Sequence, residues 1–254
     1  MKNLFKKLFV GFTVLSLTAC GSTTMQDNTF AAKENKGFTK YTNQLVVEYA
    51  ENDYTTMHQF FEHPEDYGID INNVDVSLGE FYTDNTEEIK EDQKELNKFN
   101  RSTLDKTQQT IYDELKYENE LSLKAENKKF QYLNNCWSTM SGLHQSLISV
   151  FSEYILRSEK DIQDLITLIN DVPRYTNDVL EYTKKQADKN TLQFDYDSVI
   201  QDIQDVINNK ENSSITSALY NAIDALNLDE EKTNSYKTAV KKPWTLASFR
   251  VIRL

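Results

Sequence analysis

The sequence predicts an all-α protein, an irregular multi-helix array that follows a signal peptide and a flexible tether. Three observations carry this. Apolar residues recur at helical spacing from Phe38 onward, as in Phe38, Tyr41, Leu45 and Tyr49, whereas alternation of period two is nowhere sustained. All six glycines lie at or before Gly142. From Leu143 onward there is no glycine and there are two prolines, Pro173 and Pro243. So few turn residues argue for helices joined by short polar loops.

The N-terminus comes first. Lys2, Lys6 and Lys7 precede an apolar run, Leu8 to Ala19, that is too short to cross a bilayer as a mature helix. Residues 1–19 therefore have the layout of a secretory signal peptide. The run ends in "LTAC" followed by Gly21, which resembles the lipobox of bacterial lipoproteins. That resemblance implies that Cys20 is thioether-linked to diacylglycerol, becomes the new N-terminus and is acylated with a fatty acid such as palmitate. The chain would then be held on the extracytoplasmic face of the cell membrane, where two or more acyl chains anchor stably and one does not. The alternative is an ordinary signal peptide with Cys20 as half of a disulfide. Residues 20–36 are small, polar and aperiodic, and read as a tether.

The formal charge is −12, and becomes −15 once the three signal lysines are removed. A chain this acidic repels phosphate backbones and anionic lipid heads, and no basic cluster with interleaved aromatics offsets it. Nucleic acid is excluded as a partner. With Cys20 lipidated only Cys136 remains, so stability must come from the core or from a partner domain. Cys136 lies in "NNCWSTM" without a neighbouring His or Cys, and reads as a buried inert thiol rather than a nucleophile.

The helical domain is predicted over 37–242. After the stripe beginning at Phe38, a second joins Leu104, Ile111 and Leu115. A third places Leu143, Leu147, Val150, Phe151 and Tyr154 on one face, with Ser141 at the N-cap. In "SEKDIQDLITLINDVP", Ser158 and Asp161 form a near capping box ahead of Ile162, Leu165, Ile166 and Ile169. Pro173 is expected to stop or restart that helix. Further stripes are Tyr175, Val179 and Tyr182, then Val199, Ile203, Val206 and Ile207, then Ile215, Leu219, Ile223 and Leu226.

Candidates for chemistry are few. His58 and His63 are five residues apart with Pro64 following, which puts them on different faces of any helix and argues for a turn, not a zinc pair. His144, at a helix start, reads as an ordinary surface or half-buried histidine. "DYDSVI" offers Asp195 and Asp197 at the first and third positions of a calcium loop. Ile200 and Val206 then replace the required glycine and glutamate, so that reading fails. "TEEIKEDQKE" and "LDEEK" read as solvated helix faces. No catalytic, cofactor-binding or metal residue is assigned, and lipidation at Cys20 is the one assigned site.

At "TMHQFFEHPEDYGIDINNVDVSLGEF" the chain resembles bacterial lipoproteins of the domain-of-unknown-function family numbered 885. The landmarks are Pro64-Glu65-Asp66-Tyr67-Gly68-Ile69 and then Ser77-Leu78-Gly79, and the likeness continues from Phe38 to Lys242. The resemblance implies a mostly helical, zincin-like metallopeptidase whose metal-binding motifs lie in the second half of a longer protein. No position here matches those motifs, so zinc is expected in the full-length family and no cofactor in this chain. The final residues 243–254, "PWTLASFRVIRL", hold two of the five arginines and no acid, and read as an out-of-frame tail of a truncated product; a native basic-apolar C-terminus is the alternative. The function expected is that of a membrane-anchored lipoprotein, the non-catalytic N-terminal helical part of a peptidase-like protein. The alternative is a lipid-anchored module that binds a peptide, wall fragment or protein partner.

Overall fold

The computed structural model describes residues 33–82, 84–208 and 214–241, and every regular element among them is helical. The α-helices are α1 Lys36–Glu51, α2 Tyr54–Phe60, α3 Thr86–Leu96, α4 Lys106–Ala125 and α5 Leu143–Ser152. They continue with α6 Glu159–Asp188, α7 Tyr196–Asn208, α8 Ser214–Ala225 and α9 Glu230–Lys241. Short 3₁₀ turns occupy Pro64–Tyr67, Ile71–Asn73 and Arg101–Thr103. No described helix is long and apolar enough to cross a membrane. The signal segment 1–19, Cys20 and the tail 243–254 lie outside the described residues. The predicted tether meets the fold at its end, since Asn35 caps α1 by accepting from the N–H groups of Gly37 and Phe38.

Within the predicted helical span the chain divides into two units. The first takes in the described residues of Met1–Asp53, His63–Val74 and Tyr82–Gln131; the second those of Tyr54–Glu62, Asp75–Phe81 and Tyr132–Leu254.

In the first unit α3 packs on α4, and the core joins Phe38 of α1 with Leu96, Leu104, Ile111, Tyr112 and Leu115. The predicted stripes of α1 and α4 thus face one another. Leu104 is buried from the residue before the cap, not from within the helix: α4 starts at Lys106, with Asp105 and Gln108 forming a capping box. The Gln108 amide also accepts from the N–H of Asn35 at 2.9 Å and donates to its carbonyl at 2.9 Å, tying α4 to the start of α1.

In the second unit α6 is the longest helix, and α9 packs against both α6 and α8, with α8 also against α5. Two expectations are corrected here. Pro173 neither stops nor restarts the helix, because α6 runs through it without interruption. A proline inside a helix costs about 3 kcal/mol. Leu168, Ile169 and Val172 before it and Tyr175, Val179 and Leu180 after it are all buried. Each such side chain contributes about 1.5–3 kcal/mol, so burial on one continuous face outweighs the lost hydrogen bond. Second, α5 is capped by Gly142, not Ser141, and ends at Ser152, which leaves Tyr154 beyond the helix. The near capping box at Ser158 holds: the Asp161 carboxylate accepts from the Ser158 N–H at 2.7 Å and from the Arg157 N–H at 2.9 Å.

Two tight turns explain sequence landmarks. Pro64 opens the 3₁₀ turn and Gly68 ends it with φ +79°, a left-handed conformation that a side chain disfavours. Leu78 N–H donates to Asp171 of α6 at 2.8 Å, and Arg174 donates to the Gly79 carbonyl at 2.7 Å, so "SLG" is clamped to α6.

Candidate functional site

A polar cluster of the second unit forms where α2 meets the segment between α5 and α6. Tyr54 and His58 are one turn apart on α2, and Asp161 and Asp164 are three apart on α6. The His58 ring lies between Tyr54 and Tyr154, nearly parallel to both, with centroids 5.6 and 4.3 Å away. Its Nε2 is 2.7 Å from the Ile155 carbonyl, which can only accept, so the proton sits on Nε2. Its Nδ1 lies 3.7 Å from Asp161. Burial holds His58 below the ordinary imidazole value, with the Ile155 carbonyl and Asp161 pulling the other way.

Around the ring, the Tyr54 hydroxyl donates to Asp164 at 2.8 Å and lies 2.9 Å from that of Tyr154. Burial raises both phenols well above their usual value, so both stay protonated. Arg157 donates to the His58 carbonyl at 2.9 Å. Both faces and Nε2 of His58 are therefore committed, and the cluster fastens α2 to the segment ahead of α6.

His144 corrects its expectation. It is fully buried, neither on the surface nor half-buried. Its Nε2 lies 2.7 Å from Asp202 of α7, and the Gln145 amide donates to the same carboxylate oxygen at 2.9 Å. Its Nδ1 has no hydrogen-bond partner among the described residues. A carboxylate-bound histidine is two-thirds of a catalytic triad, but no hydroxyl or thiol is bonded to Nδ1 there. Gly142 makes the site possible, since a Cβ on it would fall 2.5 Å from the Ser138 backbone and 3.2 Å from the His144 ring.

The remaining candidates resolve simply. His63 is exposed, 3.4 Å from Glu65, in the other unit from His58. Cys136 is buried and its thiol is pushed up to about 12, which keeps it protonated and inert. Asp195 caps α7 through the Ser198 N–H and hydroxyl. The α3 charges form exposed Lys90–Glu87 and Lys94–Glu91 pairs, worth little individually. Zinc does not fit these residues. The Nε2 atoms of His58 and His144 are taken by the Ile155 carbonyl and Asp202, and among the described residues no three His, Cys, Asp or Glu side chains group to hold a metal.

An open groove of about 530 Å³ runs between α6 and α9. Ile166 and Ala239 line it with apolar surface, and Asn170, Asn234 and Ser235 with polar groups. At one end of α9 the lining includes Glu231. Nothing in the spacing of the apolar residues points to it, because its polar side chains lie on the exposed sides of both helices. A polar stripe at Glu231, Asn234, Ser235 and Thr238 is the signal that could have found it.

Neither the curated proteins nor the solved structures yield a match to the chain. Residues 72–250 match the family described as bacterial protein of unknown function, DUF885. The "PEDYGI" landmark lies just ahead of that span, and "SLG", the clamp on α6 and the His144–Asp202 pair lie inside it. The chain belongs to the DUF885 family of bacterial proteins of unknown function.

Proposed function

We propose that the protein is a lipid-anchored, extracytoplasmic lipoprotein whose helices form the non-catalytic, N-terminal part of a zinc peptidase-like protein. The observation that supports this is the state of its histidines. His58 and His144 are buried against fixed partners, and His63 stands apart on an exposed turn. In this reading the acyl groups on Cys20 reach the membrane, and the zinc chemistry implied by the family resemblance is carried outside this chain.

Two measurements test it separately. Cells expressing the chain and given labelled palmitate are expected to label it in the membrane fraction, and Cys20→Ala is expected to abolish both label and sedimentation. Label that persists in the variant sinks the anchor. The expressed chain from Cys20 onward is expected to hydrolyse no peptide whether or not zinc is added; hydrolysis abolished by a chelator overturns the non-catalytic reading. A second reading, a lipid-anchored binding module, is favoured by the open groove between α6 and α9.

A further inference from the structure

We propose that the groove between α6 and α9 binds an extended peptide through its main chain, with a lysine or free amine at the Glu231 end. This rests on the binding-module reading and gives that module a ligand class. Asn170 lines the groove from α6 and Asn234 from α9, one on each wall. Among the described residues neither side-chain amide has a hydrogen-bond partner. A carboxamide presents one acceptor and two donors in a plane. It can therefore accept from the N–H and donate to the C=O of one peptide unit. Two such amides, one from each helix lining an open groove, match a ligand that repeats this pair along its length.

The other lining groups narrow the choice. Ile166 and Ala239 supply an apolar surface against which a backbone can lie without burying a charge. Ser235 adds a hydroxyl that can donate or accept. Among the described residues Glu231 is the one charged side chain lining the groove, and the whole sequence carries a formal charge of −12. The field repels an anionic ligand and draws a cationic one to that end. Because the groove is open, each hydrogen bond competes with water and contributes little net, so weak binding is expected.

The test uses the full chain and the peptide Lys-Ala-Ala-Ala amide with a fluorophore at its C-terminus, read by anisotropy. Binding is expected, and N-methylation of the peptide's internal amides is expected to weaken it by about ten-fold or more. Asn170→Ala and Asn234→Ala are each expected to weaken it by about five-fold. Glu231→Gln is expected to remove the preference for this peptide over an acetylated Ala-Ala-Ala-Ala amide. All three positions are exposed, so the variants keep the parent melting curve, which circular dichroism checks. The proposal is overturned if the peptide fails to bind, if N-methylation or the asparagine variants leave affinity unchanged, or if a chito-oligosaccharide binds the groove where the peptide does not. Failure here leaves the anchor and the non-catalytic reading standing, because palmitate labelling and the zinc assay decide those.

Discussion

His58 sits where a charge is costly, and its surroundings set the sign of a pH effect. The groups facing it are Asp161, Asp164 and Arg157, with Lys160 reaching Asp164 and the two phenols covering the ring. Burial lowers its folded pKa, while the unfolded chain keeps a value of about 6.5. The unfolded chain therefore takes up the proton first as pH falls. The contribution of this group is whole above about pH 6.5 and is lost below it, down through the folded value. Thermal melts are expected to show a lower Tm at about pH 5.5 than at about pH 7.5. His58→Gln is expected to flatten that difference; an equal slope in parent and variant would sink the argument.

Gly142 is subject to a purely steric constraint. Its N–H donates to the Ser138 carbonyl at 2.9 Å, and the next N–H, of Leu143, donates to Cys136 at 2.9 Å. Gly142→Ala forces a Cβ into the Ser138 backbone and is expected to destabilise the protein by about 2 kcal/mol, within the range for overpacked sites. Ser141→Ala, which removes no cap, is expected to change stability by less than about 0.5 kcal/mol. Urea denaturation of the two variants compares them directly, and an equal loss in both would return Ser141 to the capping role.

Among the helices, α6 is the one whose local chemistry and tertiary context disagree. Pro173 removes one hydrogen bond, yet Arg174 beside it is fixed by Asp171 at 2.6 Å and Asp178 at 2.8 Å and reaches the Gly79 carbonyl. Pro173→Ala restores the N–H and relieves a penalty of about 3 kcal/mol, while giving back about 1 kcal/mol of unfolded-chain entropy. A net stabilisation of about 2 kcal/mol is expected from denaturant melts. An unchanged or lowered midpoint would mean that the surrounding helix has already adapted to the ring.

The two units are discontinuous in sequence, and this limits how the chain can be divided. Segments 54–62 and 75–81 belong to the second unit although residues on both sides of them belong to the first. Their partners come later in the chain: Tyr54 with Tyr154 and Asp164, Leu78 with Asp171, and Phe81 with Tyr182 at 5.2 Å. A fragment covering 33–131 is therefore expected to leave Tyr54, Met57, Phe61 and Leu78 exposed, although all four are buried in the chain. Binding of a dye such as ANS should rise several-fold relative to the full chain. A fragment that stays dark and melts cooperatively would show that the first unit closes without these contacts.

Much of the helical pattern was legible from spacing. The stripes of α1 and α4, the near box at Ser158 and the turn at Pro64 follow from helix periodicity, caps and proline geometry, which act within a turn or two of chain. The polar sites were not legible. His144 finds Asp202 across 58 positions, and Tyr54 finds Tyr154 and Asp164 across 100 and 110. Tyr154 fits the α5 stripe by count, yet the helix ends before it and frees it to cover His58. The continuity of α6 through Pro173 is of the same kind, since a local penalty of a few kcal/mol yields to burial summed over a whole face. Residue spacing thus determined that the chain is helical and where most helices lie. Which side chains meet was settled by packing, because burial energy is collected over contacts far apart in the chain and no local pattern records it.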